Sequence, residues 1–173
     1  MKVNRLPFPQ NSILFPRSEK YDYFDSFGVN VNDENNRLRL TDTLKIFSGP
    51  VPTEIKWLFN LRDKIASFFG LKTARDIKNT RQQNFPELKP GDQIGIFRFF
   101  EKSENEIILG EDDKHLNFRV SLILNAAGSR KKEIVITTVV EFNNRFGRIY
   151  FFIIKPFHRI IVPVFLKRKI KSL

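Results

Sequence analysis

The final stretch, Asn143 to Leu173, constrains the fold most. Phe146, Ile149, Tyr150, Ile153, Phe157, Ile160, Ile161, Val164 and Phe165 recur there at helical spacing. That spacing predicts one apolar face on a long helix, capped by Asn143 or Asn144. Pro156 and Pro163, seven apart, each remove a backbone donor; they either bend the helix or divide it. The stretch from Ile149 to Leu166 is long enough to suggest a membrane span. Lys155, His158 and Arg159 in its middle make burial in lipid costly, so a helix lying on a broad protein surface is the better reading.

The surface comes from the preceding residues, where the apolar period changes from 3.6 to 2 at Gly91. Strands are expected over Ile94–Lys102, Glu106–Glu111, His115–Asn125 and Glu133–Asn143, with turns at Gly110–Lys114 and Ala127–Arg130. In the third of these, Leu116, Phe118, Val120, Leu122 and Leu124 face one way. His115, Asn117, Arg119 and Ser121 face the other, which predicts an antiparallel meander with one covered face and one wet face.

Upstream, prolines 7, 9 and 16 favour an extended arm over residues 1–20, packed through Leu6, Phe8, Ile13, Leu14 and Phe15. Tyr21 to Val31 alternates, with Tyr23, Asp25 and Phe27 on one side and Phe24 and Ser26 on the other, as a first strand does. Two helices should follow: a short one through Thr43–Phe47 and a longer one over Glu54–Phe69, its apolar face flanked by Trp57. Leu71 to Pro90 reads as a polar connector with a helical turn near Ala74–Lys78. Residues 21–173 then make a single domain.

Composition narrows the function classes. The chain has no cysteine, so disulfides, thiolate chemistry and Cys-ligated zinc are excluded; this fits a cytoplasmic location. Thirty Lys and Arg against 19 Asp and Glu give +11. That charge raises nucleic acid, an anionic membrane or an acidic ligand as partners. No nucleic-acid-binding motif accompanies it, so no specific nucleic acid is expected. Nineteen phenylalanines stand against one Met and one Trp; such rings either line an apolar cavity or fill a solid core.

Chemistry-bearing residues are sparse. His115 follows Asp112 and Asp113, where a carboxylate would orient the imidazole; alternatively the acids only close a turn. One short cluster is a poor ligand set, and no metal or cofactor is expected. His158 lies beside Phe157 and Arg159 on the last helix, with Tyr150 about two turns earlier. It either offers a polar tip to a ligand or satisfies carbonyls freed by Pro163. Arg98 sits on an apolar strand; the preferred reading has it facing solvent, with Phe97 and Phe99 inward. Lys167, Arg168, Lys169 and Lys171 suit either an anionic membrane or the helix dipole.

The order strand, two helices, antiparallel strands and a long C-terminal helix resembles the helix-grip fold of the START-like, polyketide-cyclase-like (SRPBCC) superfamily. Five segments resemble, within it, the uncharacterised bacterial domain-of-unknown-function family DUF2867. They are Asp22 to Phe27, Pro52 through Trp57 and Leu61 to Arg62, Leu109 to Arg119, Thr137 to Val140, and Gly147 through Arg159. Together they reach from about residue 20 to 168. The resemblance implies an α+β helix-grip domain in which a curved antiparallel sheet wraps around the C-terminal helix. It also implies a small hydrophobic or amphipathic ligand between the two. Some relatives of that family also carry a nucleotide-binding domain, but this chain has no GxGxxG or P-loop spacing.

On these grounds the expected function is ligand binding, without catalysis, in a cavity of roughly a few hundred Å³. Its lining residues would be Trp57, Phe97, Phe99, Phe118, Tyr150, Ile153, Phe157 and His158. A first alternative is a cyclase or isomerase using the same cavity, with His158, Tyr150 or His115 as acid or base. A second is a membrane- or partner-interaction protein acting through the basic C-terminal helix.

Overall fold

The computed structural model describes residues 2–46, 60, 63–64, 67, 88–94 and 97–170. Seven strands form one sheet: β1 (Val3–Leu6), β2 (Tyr23–Asn32), β3 (Gln93–Ile94), β4 (Phe97–Lys102), β5 (Glu106–Asp112), β6 (Leu116–Ala126) and β7 (Lys131–Phe142). The order is β1-β2-β7-β6-β5-β4-β3 and every neighbouring pair is antiparallel. Short hairpins join β3 through β7 in sequence. The long-range step sets β2 against β7, with Ser26 opposite Thr137. One helix, α1 (Arg145–Ile170), closes the α+β arrangement and is continuous through both prolines.

Three of the four expected strands lie within a residue or two of their limits; the first, Ile94–Lys102, is instead two strands, β3 and β4, that pair antiparallel with Ile94 opposite Phe97. Gly110 belongs to β5 instead of the turn, paired with Arg119. It is a glycine because a Cβ there would collide with the Phe118 carbonyl oxygen. The N-terminal arm also begins as a strand, β1 pairing with β2 from Val3↔Val29 to Leu6↔Ser26. The short helix is a 3₁₀ segment, Leu40–Ile46. Of the longer expected helix, Asn60, Asp63, Lys64 and Ser67 are helical; the rest, with Trp57, and the connector turn near Ala74–Lys78, lie outside the described residues.

Strand alternation builds two apolar layers. One face of the sheet joins Phe27, Val29, Leu109, Val120, Leu122, Ile134 and Ile136 with Leu44 and Ile46 of the 3₁₀ segment and Leu166 and Ile170 of α1. A second cluster on that side sets Tyr150, Phe151 and Ile154 against Tyr23, Leu116 and Val140. The largest fully buried side chains in the described core are aliphatic, Thr43 and Glu106 apart. Several phenylalanines take the margins: Phe97, Phe118, Phe157 and Phe165 are half-buried, whereas Phe27 and Phe99 are buried in the core.

The opposite face is not wet, as the alternation of β6 had suggested. Ser121 and Ile123 are fully buried there, because the arm crosses this face. Phe8 and Leu14 pack on Ile108 and Val139, with Ile13 and Phe15 beside them, through the arm residues the sequence named. Fully buried Glu106 anchors the crossing. Its carboxylate accepts from Ser12 Oγ at 2.6 Å, the Ile13 amide at 2.6 Å and Ser121 Oγ at 2.5 Å. Three donors compensate the burial of a charge that would otherwise be strongly unfavourable.

The helix also differs from expectation in its rotation. Gly147, Tyr150, Phe151, Ile154, Leu166 and Ile170 are its buried residues. Phe146, Ile149, Ile153 and Ile160, expected on the buried face, are exposed, as is Phe152. Apolar residues occur on both sides of α1, so periodicity alone does not choose between them.

Candidate functional site

The polar group that α1 offers the sheet lies between its two apolar contacts. Ile154, His158, Ile161 and Phe165 follow at steps of four, three and four, the line turned toward the sheet. Opposite, on β2, Asp25 alternates with Tyr23 and Phe27 on the face that the pleat directs to the helix. The Asp25 side chain is completely buried, and the His158 side chain keeps 21% of its surface exposed.

Asp25 Oδ2 accepts two hydrogen bonds, from Tyr23 Oη at 2.7 Å and from His158 Nδ1 at 3.0 Å. A carboxylate oxygen can only accept here, so Nδ1 carries the proton. In neutral His158 the lone pair is then on Nε2. Arg159 Nε donates to Tyr23 Oη at 3.3 Å. Its guanidinium lies 5.8 Å, and the Lys155 ammonium 5.0 Å, from the Tyr23 ring centroid. Burial pushes the Tyr23 phenol up to about 12, helped by its bond to Asp25 and opposed by Arg159. Tyr23 is therefore a neutral donor throughout the physiological range.

Asp25 Oδ1 is buried and has no hydrogen-bond partner among the described residues. A buried carboxylate oxygen ordinarily finds a donor, so this one marks a place where a donor from outside the chain would be favoured. Nearby the helix is loosely seated: Phe157, His158, Ile161 and Val162 are all half-buried. The seam thus combines an unsatisfied acceptor, an oriented imidazole and partly covered apolar surface.

The remaining expected site residues divide. Phe99 is buried in the core, while Phe97 and Phe118 are half-buried at its margin, their rings edge to face at 5.8 Å. Tyr150 is buried in the cluster next to Tyr23, away from the polar group of His158. Ile153 is 38% exposed and turns away from the sheet. Arg98 points outward and pairs with Glu111 at 3.2 Å. His115 is oriented by Asn144, whose Oδ1 lies 3.1 Å from its Nδ1, and not by the turn carboxylates; Asp112 pairs with Arg119 at 2.7 Å. No group of three metal-ligating side chains occurs among the described residues.

Two openings stand out among the described residues, both outside the seam. One, of about 550 Å³, lies beneath the arm and is lined in part by Arg17, Lys20, Tyr21, Glu101, Arg119 and Glu141. The Arg119 guanidinium is already engaged there, stacked 3.7 Å from the centroid of Phe100, and the two acids offset Arg17 and Lys20. Burial raises the Tyr21 phenol, with Arg17 and Arg119 opposing it. The other opening, of about 280 Å³, adjoins Asp33, Arg37, Lys45 and Ile170.

Sequence reasoning placed Asp25 on one side of β2 with Tyr23 and Phe27, without saying that this side faces the helix and without selecting it as a site residue. The signal was an acid alternating with Tyr23 and Phe27 where an apolar residue belongs. No curated protein and no solved structure matches the chain. The family model described as Protein of unknown function (DUF2867) matches residues 17–165, so the chain belongs to that family.

Proposed function

We propose that the protein binds a small amphipathic molecule in the seam between β2 and α1. The observation that carries this reading is the unpartnered, buried Asp25 Oδ1 beside an oriented His158. A hydroxyl or amine of the ligand donates to Oδ1, and its apolar part lies against half-buried surface such as Phe118 and Phe157. The element order supports membership of the START-like helix-grip superfamily, with its habit of holding ligands between sheet and helix. Absence of cysteine agrees with a cytoplasmic location.

Native mass spectrometry of protein purified from its own host tests the proposal. The wild-type chain should carry an organic molecule that Asp25→Ala and His158→Ala lose. A wild-type protein that carries none and takes up no apolar fluorescent probe sinks it.

The tautomer of His158 favours a second reading, acid–base chemistry of the cyclase or isomerase kind. With Nδ1 held by Asp25, Nε2 is the atom that would take a substrate proton. Binding that survives His158→Gln while turnover of the bound molecule stops would select this reading. Equal turnover in both proteins would remove it.

A further inference from the structure

We propose that the outward side of α1 docks flat on an anionic phospholipid bilayer, independently of any ligand in the seam. Phe146, Ile149, Phe152, Ile153 and Ile160 expose 60, 52, 79, 38 and 55% of their surface. Ile149, Ile153 and Ile160 follow at steps of four and seven, so they form one stripe, with Phe146 and Phe152 at its sides. Five large apolar side chains in water on one helix are unfavourable unless something covers them.

Charge selects the occupant. Between Arg145 and Ile170 the helix carries seven Lys and Arg and no Asp or Glu. Arg148, Lys155 and Arg159 lie along one edge of the stripe at steps of seven and four; Lys155 and Arg159 also contact Tyr23, Arg159 remaining exposed and Lys155 half-exposed. Lys167, exposed and seven residues beyond Ile160, closes its C-terminal end. Asp22 approaches this edge, 3.9 Å from Arg148, whose side chain remains 73% exposed. A row of cations beside exposed Phe and Ile fits phosphate headgroups next to acyl chains, the pattern of helices that lie in the membrane interface. A neutral apolar partner would gain nothing from those cations.

The helix is long and apolar enough to cross a bilayer, yet the fold forbids it. Its other side is fixed to the sheet through Ile154, His158 and Leu166. Only the outward stripe is available, which dictates a flat orientation with the sheet held above the membrane.

Flotation of the full chain with phosphatidylcholine vesicles, with and without phosphatidylserine, tests this. Wild type should bind the anionic vesicles at least about tenfold more tightly, and high salt should weaken that binding. The double variant Phe152→Ser, Ile160→Ser should lose about tenfold or more, and Arg148→Glu with Lys167→Glu should lose the anionic preference. These positions are exposed, and circular dichroism with urea midpoints checks that each variant is folded. No binding by wild type, or unchanged binding by a folded Phe152→Ser, Ile160→Ser variant, overturns the proposal. So does a wild-type dimer that this variant dissociates without any vesicle binding, because the stripe would then join two copies of the chain.

Discussion

Asp25 and His158, 133 residues apart, meet at 3.0 Å across the seam between β2 and α1. Tyr23 donates to the same Asp25 oxygen. The carboxylate thus ties the helix to the strand while its other oxygen is unsatisfied. Asp25→Ala removes the acceptor of both bonds and should lower stability by about 2–4 kcal/mol. His158→Ala leaves the Tyr23 bond in place and should cost less. Urea unfolding of the two variants checks the order; an equal or reversed ranking would contradict it.

Tyr23 gives this contact a pH signature. Its phenol ionises near 10 when unfolded and at about 12 in the folded protein. The folded state therefore holds the proton longer, and the resulting stability is complete below pH 10 and disappears as pH rises through 12. Tyr23→Phe lacks both this ionisation and the hydrogen bond. The stability gap between wild type and Tyr23→Phe, measured by urea titration, should narrow between pH 10 and 12. A gap that stays constant over that interval rules the assignment out.

The arm is testable at its anchor. Ser12→Ala withdraws one of three donors from buried Glu106 and should cost about 1–3 kcal/mol. Glu106→Ala should cost more and leave the arm open to proteolysis, since the Ile13 amide and both serine hydroxyls lose their acceptor. Limited digestion followed by mass analysis reads the effect directly. An arm as resistant as wild type would show that apolar packing alone holds it.

The entry of α1 depends on a close approach. Asn144 Oδ1 caps the helix by accepting from the Gly147 amide at 3.1 Å, and a Cβ on Gly147 would collide with the His115 carbonyl oxygen. Backbone meets backbone there, so neither can swing aside. Gly147→Ala should destabilise by about 2–3 kcal/mol, against about 1 for Asn144→Ala. Thermal and urea midpoints of both variants test the ranking.

Much of this fold was legible because strands advertise themselves with a period of two. The meander, the cap at Asn144 and the apolar arm contacts all follow from local patterns. What was not legible depends on distance. Nothing near Asp25 announces His158, and nothing near Ser121 announces that Ser12 and Glu106 will bury it. The rotation of α1 escaped for another reason: apolar residues surround it, and the exposed set, including Phe152, imitates a core face. Phenylalanine abundance likewise misleads, since the largest fully buried side chains among the described residues are mostly aliphatic, with no ring among them.

The bond between Ser12 and Glu106 spans 94 residues of chain. The arm is therefore synthesised long before the carboxylate that will hold it, and that carboxylate is buried only once the arm has arrived. Closing so large a loop is entropically slow, which makes docking of the arm a late event in folding. Until then Ile108 and Val139 form an open apolar patch on a sheet that is otherwise assembled. That interval, more than the finished structure, is when this protein is most exposed to association with copies of itself.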